Sequence, residues 1–322
     1  MSLVRTPLDR AGVRLYQRLV LRPSARPWEW PADGGDPAAW EPVRFARTDG
    51  HAVAGLWGAA AGPARGVVVC AHPFKRTGKG YFLDGGHGAA LRRAGYHVLL
   101  FDFGGFGETR QRSVLFPRDV LAAGAEAVRR APGLPVGLLG VCFGGVYGTC
   151  ALAAPGHPFR AAVLDGPFTS VAGAVRAMGD LVPSAARPSR FQRVQNAFFR
   201  LADPLLPALD PLRQASRATG LRRVLLIAGR ADTFSPEIGV RRYGPAFARA
   251  GVASDVWAVE GAEHLGAFGA APEVYVRRVV SFFDRHLGPS PTPSASRAEG
   301  RPPVRRRPRY GRRMAGASGS GR

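Results

Sequence analysis

Short apolar runs alternate along this chain with longer stretches in which apolar residues recur at helical spacing. Residues 43–47 and 53–57 flank Thr48-Asp49-Gly50, a turn sequence, and together predict a β-hairpin. Residues 66–71 are continuously apolar, which predicts a strand buried on both faces. A helix is expected over 80–94, a strand over 96–101 and a helix over 117–130. The run 134–139, behind Pro132 and Gly133, predicts another strand, and 146–154 is small and apolar enough for a helix packed on a sheet. Strands over 159–164, 224–228 and 254–259, with helices around Ala246 and over 275–286, continue the alternation. Such a pattern predicts an α/β fold, a mostly parallel central sheet with helices on both faces.

Three stretches break the pattern. Residues 1–40 read as an N-terminal helix (9–22, with Val13, Tyr16, Leu19 and Val20 between arginines) and a Pro/Gly-rich linker. A basic amphipathic helix can lie on a membrane surface; the reading adopted is a helix packed on the body. Residues 166–220 are too long for a plain crossover and carry several prolines and Phe198-Phe199, which predicts a helical insertion. From 289 to 322 the chain is Ser, Pro, Arg and Gly with almost no large apolar residue, and is expected to be disordered.

Composition changes this picture little. Hydrophobic residues make up 46%, enough for a sizeable core in a domain over 41–288. The formal charge of +22 is unusual, but arginine carries nearly all of it, and Lys75 and Lys79 are the only lysines. An arginine bias beside so much Ala, Gly and Pro reflects coding composition more readily than a polyanionic partner. The tail holds +8 of the charge, and Arg305-Arg306-Arg307 could contact nucleic acid or an anionic surface; a solvated tail is the simpler reading. No apolar run reaches the length of a transmembrane helix, and arginines interrupt any signal-peptide core at the N-terminus. Three cysteines in apolar settings suggest no disulfide framework, so a cytoplasmic location is expected.

The chemistry centres on Gly140-Val141-Cys142-Phe143-Gly144-Gly145, between a predicted strand and a predicted helix. One residue displayed between glycines on a strand-to-helix turn is a nucleophile elbow. Its thiol would sit at a helix amino end, where the dipole favours an anion. A thiol nucleophile needs a base and the base an orienting acid. Asp232 follows the strand at 224–228 and His264 follows the strand at 254–259, both at carboxyl ends of parallel strands. Asp165, after the strand at 159–164, is the alternative acid. Lys75, Arg76 and Lys79 lie beside this region and could hold an anionic substrate group, or form a solvated loop.

GVCFGG resembles the elbow of the alpha/beta-hydrolase superfamily, in the cysteine form of dienelactone hydrolases and polyester synthases, and the likeness runs from about Pro42 to Leu287. The resemblance implies a central sheet with a helical cap at about 166–220, and the catalytic order Cys142, Asp232, His264. It also implies an oxyanion hole from the N–H of Phe143 and a loop like the superfamily's His-Gly loop, here Ala71-His72-Pro73-Phe74. Proline has no N–H, so Phe74 is the expected second donor. Asp102, in Phe101-Asp102-Phe103-Gly104-Gly105, resembles a structural aspartate of that superfamily. The expected function is hydrolysis of an ester, lactone or thioester of a small-molecule acyl substrate through an acyl-Cys142 intermediate, without metal or organic cofactor. An acyltransferase of polyester-synthase type, or a non-catalytic binder of the same fold, would share these residues. The early glutamate with which dienelactone hydrolases activate their thiol has no identifiable counterpart here.

Overall fold

A computed structural model describes residues 28–75, 77–110, 115–170, 173–174 and 210–288. The predicted N-terminal helix, most of the insertion and the tail lie outside these residues. Eight strands form one sheet in the order β1-β2-β4-β3-β5-β6-β7-β8. They are β1 Glu41–Ala46, β2 Ala52–Gly58, β3 Gly66–Ala71, β4 Tyr96–Phe101, β5 Val136–Val141, β6 Phe159–Asp165, β7 Arg223–Gly229 and β8 Ala253–Val259. β1 and β2 pair antiparallel, as do β2 and β4, and every later pairing is parallel.

The central strands are uniformly apolar because helices cover both faces: every residue of β3 and β5 is buried. The helices are α1 Tyr81–Asp84, α2 His87–Arg93, α3 Phe116–Arg130, α4 Phe143–Leu152, α5 Pro211–Ala215, α6 Glu237–Arg241, α7 Tyr243–Arg249, α8 Ala267–Ala270 and α9 Pro272–Leu287. α4 is buried throughout, so its composition of small and apolar residues reflects a helix pressed between sheet and neighbours.

Two expectations shift in detail. The helix expected over 80–94 is two helices, because Gly86 takes φ 72° and starts α2 afresh. The strand expected at 134–139 lies two residues later, and α4 begins immediately after Cys142. The glycines around its start answer to close packing. A Cβ on Gly144 would overlap the carbonyl of Ala71, and one on Gly140 would come within 2.6 Å of the Gly144 carbonyl oxygen. The elbow can be this sharp only without those side chains.

Candidate active site

β3, β5, β6, β7 and β8 run parallel, so the loops after them gather at one edge of the sheet. Cys142 follows β5 and caps α4 with φ 50° and ψ −110°, a region that non-glycine residues seldom adopt. The strain is held by hydrogen bonding, since the Cys142 N–H donates to the Asp165 carbonyl at 2.7 Å. The thiol is 4% exposed.

Asp232 and His264 arrive on two loops that are tied together, with the Ala231 N–H donating to the Ala262 carbonyl at 3.0 Å. Gly229 permits the approach, because a Cβ there would overlap that same carbonyl. Asp232 Oδ1 accepts the N–H groups of Phe234 at 2.9 Å and Ser235 at 2.7 Å, which aims Oδ2 at His264. Oδ2 lies 2.8 Å from His264 Nδ1, and His264 Nε2 lies 3.1 Å from Cys142 Sγ. Leu265 takes φ 62° directly after the histidine, so the loop turns sharply beneath the ring. Phe234 covers the imidazole with ring centroids 4.4 Å apart. Burial works against a charge on His264, but hydrogen bonds to Asp232 and Cys142 and their negative charges outweigh it, and its pKa is pushed up to about 10. His264 is therefore placed to hold a proton between Asp232 and the Cys142 sulfur.

Asp165 occupies a different position. Its backbone carbonyl holds Cys142, while its carboxylate accepts the Tyr275 hydroxyl at 2.9 Å. Burial pushes its pKa up to about 7, against the Tyr275 hydrogen bond and the nearby His264, which lower it. The folded chain thus binds this proton more tightly than the unfolded chain, and the Asp165 contribution to stability declines as pH rises from about 4 to about 7. Asp165→Asn, which keeps an acceptor for Tyr275, should remove this decline. Measured by urea unfolding, the variant should gain on the parent between pH 5 and pH 8, by at most about 1.4 kcal/mol per pH unit. A constant difference across that range would mean that Asp165 is ionised throughout.

On the other side of the thiol, His72 is fully buried and locked: its Nε2 accepts the Phe103 N–H at 3.1 Å while Nδ1 faces the Pro73 carbonyl at 2.7 Å. Burial drives its pKa down to about 4, so it is a neutral loop-holder. Phe143 is the first residue of α4, where an N–H has no intrahelical acceptor. Phe74 stands beside it, their rings 5.3 Å apart, and Phe74 remains 41% exposed.

Of the three basic residues expected near an anionic substrate group, the structure describes Lys75 and Lys79, and their settings differ. Lys75 places its ammonium 5.5 Å from the Tyr81 ring centre in an exposed loop. Arg76 lies outside the described residues. Lys79 requires a correction: it is fully buried, 2.7 Å from both Asp102 Oδ2 and Glu108 Oε2, with the Trp28 ring centre 3.9 Å away. Two carboxylates already neutralise it, so it has no charge to offer a ligand. Asp102 also accepts the N–H groups of Lys79 at 2.8 Å and Glu108 at 3.0 Å, a structural role. Among the described residues no group of three or more His, Cys, Asp or Glu side chains is placed to hold a metal ion. No described helix is long and apolar enough to cross a membrane.

Residues 62–236 match the sequence model of the serine aminopeptidase S33 family of hydrolases. The chain belongs to that family. The match spans the elbow and Asp232 and ends before His264. This S33 member carries Cys142 at the elbow of a family named for serine enzymes. No curated protein matches it in sequence. Its fold is that of the alpha/beta hydrolases. An esterase from Pyrococcus furiosus superposes with a TM-score of 0.66 at 18% identity, over 81% of this chain and 98% of the esterase. A thermostable carboxyl esterase from Bacillus coagulans gives 0.59 at 14% identity, over 77% and 99% of the two chains. An acylaminoacyl peptidase from Pyrococcus horikoshii gives 0.55 at 18% identity, over 77% of this chain and 42% of the peptidase.

Phe234 over the histidine, Tyr275 under Asp165, and the Lys79–Asp102–Glu108 cluster went unread in the sequence. Each pairs residues from segments that only the tertiary fold brings together. Asp102 was legible as a structural aspartate through the resemblance, but its partner Lys79 was expected near a substrate anion.

Proposed function

We propose that this S33 member hydrolyses an ester, lactone or thioester through an acyl-Cys142 intermediate. The observation that carries the reading is the unbroken line from Asp232 Oδ2 through His264 to Cys142 Sγ, at 2.8 and 3.1 Å. Esterase activity named for two of the structural neighbours supports an ester as the bond cleaved.

His264 Nε2 takes the Cys142 thiol proton across the contact between them. The Cys142 thiolate attacks the acyl carbonyl carbon, a C–S bond forms, and the carbonyl π electrons move to oxygen. The resulting oxyanion accepts the N–H groups of Phe143 and Phe74. Collapse expels the alkoxide or thiolate leaving group, which takes the Nε2 proton of His264. The thioester remains on Cys142. His264, now neutral, removes a proton from an incoming water, whose oxygen attacks the thioester carbon. Collapse of that second oxyanion releases the carboxylic acid and returns the thiolate beside the imidazolium. Asp232 fixes the ring with Nδ1 protonated and offsets the imidazolium charge.

An activated ester should give a rapid burst of leaving group, close to one equivalent per Cys142, before a slower steady state. A binder without catalysis would show neither phase. Lys75 is where an anionic arm of a substrate would register. Lys75→Ala should raise KM for a negatively charged ester several-fold more than for its neutral counterpart. Equal changes for both would leave Lys75 a solvated side chain.

A further inference from the structure

Beyond the reacting atoms lies a cleft of about 300 Å³, lined by Phe168, Thr169, Ser170, Phe234, Ser235 and Gly239 among others. It opens between the loop after β6 and the loop from Asp232 into α6. This volume is the size of a small ligand site. Three features describe what it would accept. None of its described lining side chains is charged, and the Asp232 carboxylate is committed on both oxygens, to His264 and to the N–H groups of Phe234 and Ser235. Ser235 is one of the lining residues; it is 3% exposed, and its buried hydroxyl has no hydrogen-bond partner among the described residues. A buried hydroxyl left unpaired is costly, so such a group is normally matched by a ligand atom or water. Finally, Phe234 is shared: one of its faces packs on the His264 imidazole and the same side chain lines the cleft. The cleft is therefore one aromatic side chain away from the reacting centre.

We infer that this cleft is a specificity subsite holding one uncharged arm of the substrate, several carbons long and bearing an oxygen that pairs with the Ser235 hydroxyl. The inference rests on the hydrolase reading above. It disfavours a carboxylate or phosphate at this end, because no cation among the described lining residues would offset its desolvation. Gly239 supplies the lever. A Cβ there would meet only Thr169 Cγ2, at 3.5 Å, an ordinary contact. The helix tolerates a larger residue, and its side chain would enter the cleft.

The test compares wild type, Gly239→Leu and Ser235→Ala. p-Nitrophenyl acetate, hexanoate and ω-hydroxyhexanoate vary the acyl arm; ethyl acetate, hexyl acetate and hexanediol monoacetate vary the alcohol arm. Gly239→Leu should lower kcat/KM for the long substrate relative to the acetate about tenfold or more in one of the two series, which also assigns the arm. Ser235→Ala should lower the hydroxylated substrate about tenfold relative to the plain alkyl one. Ratios unchanged within twofold in both series would overturn the subsite. If the leucine variant does not fold, Gly239→Ala should shift the same ratio in the same direction by less. Hexanediol binding, followed by ligand-observed NMR, gives a readout without turnover. The signal should be lost in Gly239→Leu, and equal binding in both proteins would refute the inference. A wild-type protein that binds hexanediol but shows no burst on the acetate would sink the acyl-cysteine reading and leave the cleft standing.

Discussion

Cys142→Ala should abolish both the burst and the steady-state turnover of an activated ester, a loss on the order of 10⁴–10⁶-fold in kcat. Alanine leaves no thiol at the elbow to receive the acyl group. His264→Ala should lose the burst as completely, since the thiol then has no partner to take its proton. It should also lose selective alkylation. In the parent, iodoacetamide should label Cys142 ahead of Cys70 and Cys150, which are fully buried and whose thiol pKa values burial pushes up. Asp232→Asn should fold and turn over roughly 10²–10⁴-fold more slowly, through loss of the ring's orientation and charge partner. Cys142→Ser should retain a small fraction of activity, because the base and the N–H donors stay in place around an alcohol that is harder to ionise. Normal kinetics in Cys142→Ala would rule out the elbow as the reacting centre, and an intact rate in Asp232→Asn would pass the acid role to Asp165.

The second large effect is on stability. Lys79→Met should destabilise the protein by about 3–5 kcal/mol, because it leaves the Asp102 carboxylate buried without its cation. A loss of that size is a large part of the roughly 5–15 kcal/mol that holds a domain together. Glu108 is partly exposed and can turn to water; Asp102 cannot, enclosed as it is by Gly78 and Gly107. The double variant Lys79→Met with Asp102→Asn should recover part of the loss, since the buried charge is gone and the amide oxygen still accepts one of the two backbone N–H groups, of residue 79 or of Glu108, that the carboxylate holds. Urea unfolding of the three proteins measures this directly. A single-variant loss under about 1 kcal/mol would mean that water reaches the pair. The cluster joins the segment after Phe74 to the loop around Asp102, so its loss should also loosen the wall of the site.

The sequence carried the sheet well because burial leaves continuous apolar runs: residues 66–71 and 96–101 are β3 and β4 without change. It carried the elbow because the geometry needs glycine at two fixed places, and the structure shows what each would strike. The placement of Asp232 and His264 after β7 and β8 was legible from the strands that precede them, and their pairing from the catalytic order that the alpha/beta-hydrolase resemblance implies. Lys79 was not, because a charge near a loop looks the same in sequence whether it faces water or a buried carboxylate. Its burial is decided by Asp102, Glu108 and Trp28, which lie from 23 to 51 residues away. The split at Gly86 was overlooked for a different reason: a glycine inside a helical pattern marks a break only when its backbone actually turns left-handed.

The central claim is that substrate becomes covalently attached to Cys142. The most direct measurement is mass spectrometry of protein acid-quenched during turnover of p-nitrophenyl hexanoate, followed by peptide mapping. The account predicts a hexanoyl adduct on the peptide containing Cys142, accumulating with the burst amplitude and absent from Cys142→Ala. An adduct on any other residue, or full turnover with Cys142 never acylated, would contradict it.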